Sequence, residues 1–123
     1  MERNMIDWFE IYVQDMVRAR TFYETVLQVE LKLLNESGPE LWAFPQSLER
    51  HGASGALARV EGMPSGGNST IIYFSREDCA VEAKRVPAAG GKLFKEKFPI
   101  GEYGFIALAF DTEDNLFGLH SMR

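Results

Sequence analysis

Residues 6–24, IDWFEIYVQDMVRARTFYE, decide the architecture of this 123-residue chain. The start alternates as a strand does, with Phe9 and Ile11 on one side and Trp8, Glu10 and Tyr12 on the other. Asp15 then stands where a helix N-cap belongs, its carboxylate available to the free amides of the next turn. Behind it Met16, Ala19, Phe22, Tyr23, Val26 and Leu27 recur at helical spacing, while Arg18, Arg20 and Glu24 take the wet side. A related strand–Asp–helix order returns at 70–86, TIIYFSREDCAVEAKRV, with Asp78 at the cap position. A short pattern said twice predicts two copies of one small module.

The rest of the chain fits around those two copies. VELKLLNES (29–37) reads as a strand, Ser37-Gly38-Pro39 as a turn, and LWAFP (41–45) as a third strand ended by Pro45. Gln46 to Ser54 is a polar loop holding His51, and Gly55 to Val60 a fourth strand. GMPSGGN (62–68) is the linker-like stretch. Beyond it, Ile71 to Phe74 form a strand, and Asp78 opens a helix through Cys79, Ala83 and Val86. Pro87 frays the end of that helix, and Ala89-Gly90-Gly91 closes it. KLFKEKF (92–98), Phe105 to Phe110 and Leu116 to Ser121 follow as strands, the last two joined by the tight turn DTEDN. The expectation is a single α+β domain over 1–123, with module 1 at about 1–61, a linker at 62–68 and module 2 at about 69–123. Curved mixed sheets around a central groove, with the helices outside, would cover the exposed edges and faces. Such a groove is a place for a small molecule.

Composition narrows the function classes. Hydrophobic residues make up 46 %, with nine Phe, four Tyr and two Trp, enough for an aromatic core and against disorder. The net charge of −5, with no basic run, speaks against nucleic acid as a partner. One Cys supplies neither an internal disulfide nor a thiolate metal cage, and Cys79 reads as a small buried hydrophobe. No apolar run approaches a membrane span, and MERNMIDW leads straight into the first strand without a signal peptide. The expected location is the cytoplasm.

V-x-D-M-x-R-A-x-x-FYE at Val13 to Glu24, AAGGK at Ala88 to Lys92 and IGEYGFIALAFDTEDNLFGLHS at Ile100 to Ser121 resemble, in order, the two modules of the vicinal oxygen chelate superfamily. That superfamily includes glyoxalase I, bleomycin-resistance proteins and extradiol dioxygenases, and the nearest likeness is to its glyoxalase-like branch. The resemblance implies paired βαβββ modules, commonly a homodimer, and a divalent metal held by His, His and Glu with open positions for substrate oxygens. Carried over residue by residue, the ligand positions fall on Trp8, Ile71 and Gly118, none of which binds metal through its side chain. No metal or other cofactor is therefore expected. Asp114 also departs from the pattern, standing where that turn has Gly, and a slightly strained left-handed turn is expected there.

The next residues on the same strand faces are Glu10, Tyr73 and His120. If the three strands keep the family's facing, these groups share the groove. Glu10 would orient His120 and raise its pKa for acid–base work, Tyr73 would donate to a substrate oxygen, and Trp8 and Tyr12 would wall the ligand. Each also has a plainer reading: a satisfied carboxylate, a groove wall, a structural imidazole at a strand end. Three functions follow. The first is a glyoxalase- or bleomycin-resistance-like protein binding a small oxygenated or aromatic molecule without the metal triad. The second is an enzyme of lyase, isomerase or dioxygenase type using the shifted Glu10/Tyr73/His120 site. The third is an accessory dimer whose groove is filled by its own side chains.

Overall fold

A computed structural model describes residues 4–47 and 51–123, so part of the His51 loop lies outside the described residues. In chain order the elements are β1 (Trp8–Tyr12), α1 (Met16–Leu27), β2 (Lys32–Leu33), β3 (Glu40–Ala43), β4 (Ser54–Arg59), β5 (Ile72–Ser75), α2 (Cys79–Arg85), β6 (Lys92–Pro99), a 3-10 turn (Gly101–Tyr103), β7 (Phe105–Phe110) and β8 (Leu116–Ser121). The α+β architecture of two βαβββ units is thus observed. Each unit makes a four-stranded mixed sheet of the same order, β1-β4-β3-β2 and β5-β8-β7-β6. In both, the first and last strands run parallel, β1 with β4 and β5 with β8, and the remaining pairs are antiparallel.

Local chemistry explains the element ends. Asp15 accepts from the Arg18 amide at 3.0 Å, and Asp78 from the Ala80 amide at 3.0 Å, so both expected N-caps are made. The segment 29–37 is a strand only over Lys32–Leu33. Asn35 turns the chain early, its amide donating to the carbonyls of Ser37 and Pro39. Glu24, expected on the wet side, instead accepts from the Leu31 amide at 2.9 Å and fixes the approach to β2. The second helix stops at Arg85, one residue short of the expected Val86, and Gly90 follows at φ +102. Asp114 adopts φ +66, the left-handed turn expected of it.

One core serves both units. Phe22, Tyr23, Val26, Leu57, Phe117 and Leu119 are fully or almost fully buried in a single cluster. Tyr23 of α1 stands at its centre, with ring centroids 5.6 Å from Phe44, 5.8 Å from Phe74 and 5.5 Å from Phe117. A helix of the first unit therefore packs on rings from both sheets. The last carbonyls of α1 receive no basic residue from their own turn. They are met from the second unit, by Arg85 to the Val26 carbonyl at 3.0 Å and Arg76 to the Leu27 carbonyl at 3.2 Å. GMPSGGN is also tied down, because Asn68 accepts from the Leu116 amide and donates to the Thr70 and Leu116 carbonyls.

Candidate functional site

The strand alternation expected from sequence is present. On β1 Phe9 and Ile11 belong to the core side, leaving Trp8, Glu10 and Tyr12 on the other face. On β5 Phe74 packs inward while Tyr73 is 45 % exposed, and on β8 Phe117 and Leu119 are buried, placing Gly118 and His120 opposite them. The candidate residues thus occupy the sheet faces turned away from the helices.

Tyr73 and His120 come together there. They line a hollow of about 330 Å³ with Ser75, Ile100 and Ile106. Strand register explains the grouping: Ser75 and Ile106 both pair with His120, on its two sides. The His120 Nε2 lies 2.6 Å from the Tyr103 carbonyl oxygen on the adjoining 3-10 turn. A carbonyl only accepts, so Nε2 carries the hydrogen and donates. In the neutral ring Nδ1 is then the acceptor, a tautomer fixed by the Tyr103 carbonyl. The hollow therefore combines two isoleucine side chains with a phenol, a hydroxyl and an imidazole. Ser75, Ile100 and Ile106 were not singled out from sequence. Ser75 was legible in principle, because it shares the face of Tyr73 one alternation along.

Glu10 lies elsewhere. With Tyr12 it lines a second hollow of about 230 Å³ at the seam between the two units, where the 64–70 segment crosses. Its carboxylate accepts from the Trp8 indole N–H at 3.2 Å. Within one chain the carboxylate and the imidazole therefore have different partners, Trp8 for Glu10 and the Tyr103 carbonyl for His120. His51 is exposed.

Among the described residues the donors that the resemblance implies for a divalent metal are not brought together. Trp8, Ile71 and Gly118 offer no side-chain ligand, and among the described residues no group of three or more His, Cys, Asp or Glu is positioned to hold an ion. The space beside Gly118 is also taken. A Cβ there would lie 2.2 Å from the Tyr73 ring, so the phenol fills the volume that a ligand side chain would need.

The strongest electrostatics belong to DTEDN, read from sequence only as a turn. Glu113 is buried and accepts from the Gln14 and Asp15 amides at 2.9 and 3.0 Å, from Arg18 at 2.7 and 3.0 Å, and from the Thr112 hydroxyl at 2.8 Å. Burial alone would raise its pKa, but the Arg18 bond and the amide and hydroxyl donors outweigh it and lower the pKa to about 2. Arg18 is exposed, as expected, and is also half of a cross-unit ion pair. Asp111 is buried too, and burial raises its pKa despite bonds from the Tyr23 hydroxyl at 2.6 Å and the Glu113 and Asn115 amides. The same burial, with the Asp111 charge, pushes the Tyr23 phenol well above its usual range. This cluster joins the β7–β8 turn to the start of α1 and holds the two units in register.

A profile of the Glyoxalase/Bleomycin resistance protein/Dioxygenase superfamily matches residues 5–119. Among solved structures, a hypothetical protein of S. aureus superposes with a TM-score of 0.73 at 14 % identity, covering 98 % of this chain and 95 % of that one. A glyoxalase-related enzyme from Fulvimarina pelagi gives 0.72 at 14 % identity, covering 95 % and 87 %. The fosfomycin resistance protein FosX from Listeria monocytogenes gives 0.67 at 17 %, covering 98 % and 92 %. At these identities the likeness is one of fold. No curated protein matches the chain.

Proposed function

Because this chain belongs to the Glyoxalase/Bleomycin resistance protein/Dioxygenase superfamily, we propose that it uses the family's fold to bind a small oxygenated or aromatic molecule without a divalent metal. The ligand's seat is the hollow of Tyr73, Ser75, Ile100, Ile106 and His120. The observation that carries this reading is the convergence of three polar side chains on an otherwise apolar hollow, with the tautomer of His120 set from outside it. Two donors, the Tyr73 and Ser75 hydroxyls, suit a ligand oxygen, and Nδ1 of His120 suits a ligand hydroxyl. The isoleucines suit the ligand's apolar body. FosX, a fosfomycin resistance protein, shares the fold, which agrees with a role in holding a small molecule.

A second reading is acid–base chemistry at the same hollow. It is favoured by one observation, the acceptor nitrogen that the Tyr103 carbonyl leaves on His120. In that case His120 takes the proton and Tyr73 steadies the developing oxygen charge.

A thermal-shift panel of small phenols and dicarbonyl compounds tests the proposal. Concentration-dependent stabilisation is expected for the chain as isolated, weakened about tenfold or more in affinity by His120→Ala and by Tyr73→Phe. No stabilisation across the panel rejects a binding role and leaves the self-filled accessory protein. Binding that requires added zinc or nickel rejects the metal-free part.

A further inference from the structure

The hollow at the seam between the two units has chemistry of its own. It is formed by β1, the 64–70 segment and the start of β8, with Tyr23 of α1 beside them. Its one charged lining group is Glu10. The ion pairs among the described residues are Arg18–Glu113, Arg20–Glu24, Arg76–Glu82, Lys97–Asp78 and Arg123–Glu77, and none of them compensates that carboxylate. Trp8 holds one carboxylate oxygen, which fixes the group without neutralising it.

The two asparagine amides that line the hollow spend their N–H groups inside the protein: Asn68 on the Thr70 and Leu116 carbonyls, Asn115 on the Tyr12 carbonyl and Asp111. Glu10, Ser69 and Thr70 line the space, beside Tyr12 and the apolar Ile72 and Leu116. A negative group with no cation, next to an aromatic face and an apolar wall, is complementary to an organic cation. The net charge of −5 draws such a ligand toward the surface.

We infer that the seam is a second binding site, for a small primary amine with an apolar body, whose ammonium group is held by Glu10 and the neighbouring hydroxyls and whose body lies against Tyr12 and Ile72. About 230 Å³ admits a fragment-sized amine, below the ~300 Å³ at which drug-sized pockets begin. The site is separate from the Tyr73–His120 hollow and stands or falls without it.

The probes are 2-phenylethylamine and its neutral and anionic counterparts, 2-phenylethanol and phenylacetate, titrated into the full chain with backbone amide resonances as readout. The amine is expected to bind saturably, with shifts centred on Glu10, Tyr12 and Thr70 and a dissociation constant about tenfold or more below that of the alcohol. Glu10→Gln keeps the side chain's shape at an exposed position and is expected to bring the amine to the alcohol's affinity. Glu96→Gln, an exposed carboxylate on β6, is expected to change nothing. Equal binding of amine and alcohol, undiminished amine binding by Glu10→Gln, or amine shifts centred on His120 would each overturn the inference.

Discussion

Gly118 and Tyr73 depend on one another. The residues pair in register on β8 and β5, and the phenol ring lies where any Cβ at 118 would go. Gly118→Ala is therefore expected to destabilise the chain by about 1–3 kcal/mol, as overpacking does, measured by urea unfolding. Tyr73→Ala removes the obstruction, so the double variant should recover most of the Gly118→Ala loss. Additive losses would show that the ring already yields without cost. His120→Gln retains a donor toward the Tyr103 carbonyl but removes the basic nitrogen. Ligand binding should survive it in part, whereas any pH-dependent turnover should be abolished, and an activity–pH profile distinguishes the two.

At the scale of elements, the β7–β8 turn is the part whose role was least visible beforehand. Glu113 has a folded-state pKa of about 2 against an ordinary 4.5, so it stabilises the fold above the ordinary value. That stabilisation is lost as pH falls from about 4.5 towards 2. Asp111 has the opposite sign, because its raised pKa makes protonation favour the folded state and partly offsets the loss. Glu113→Gln should cost about 2–3 kcal/mol at neutral pH and flatten the acid limb of the stability curve, followed by thermal unfolding between pH 2 and 6. An unchanged acid limb would mean that other carboxylates carry it.

Both N-caps, both helix faces and the repeated strand order were legible because each is a local pattern: a cap, a period of 3.6, a period of 2. The shortened β2 was not, because the Asn35 side chain competes with the ladder by bonding the Ser37 and Pro39 carbonyls. The partner of Arg18 was hidden for a related reason. Helical spacing gives its outward face, but the acid it meets comes from a turn far along the chain. The facing of Glu10, Tyr73 and His120 followed from alternation alone. Alternation carries no information on how far apart the strands lie, so the division into two hollows required coordinates.

For the whole molecule, the shared core makes the two units one folding body. Tyr23 packs on rings from both sheets and donates to buried Asp111, so Tyr23→Phe keeps the rings and removes one of the hydrogen bonds that the buried carboxylate accepts. A loss of about 1–3 kcal/mol is expected, in a single cooperative transition by both fluorescence and far-ultraviolet circular dichroism. Two separated transitions would show that the units are held together less tightly than the ring contacts indicate. The same geometry leaves the cleft faces of both sheets uncovered by the helices, and it is on these faces that the Tyr73–His120 hollow opens.

Calorimetric titration of the chelator-treated chain with a small phenol, alongside metal analysis of the same sample, tests the central claim most directly. Saturable binding with no stoichiometric metal, lost by about tenfold or more in His120→Ala, is the result expected. Binding that appears only when zinc or nickel is restored, or that is indifferent to His120, would contradict it.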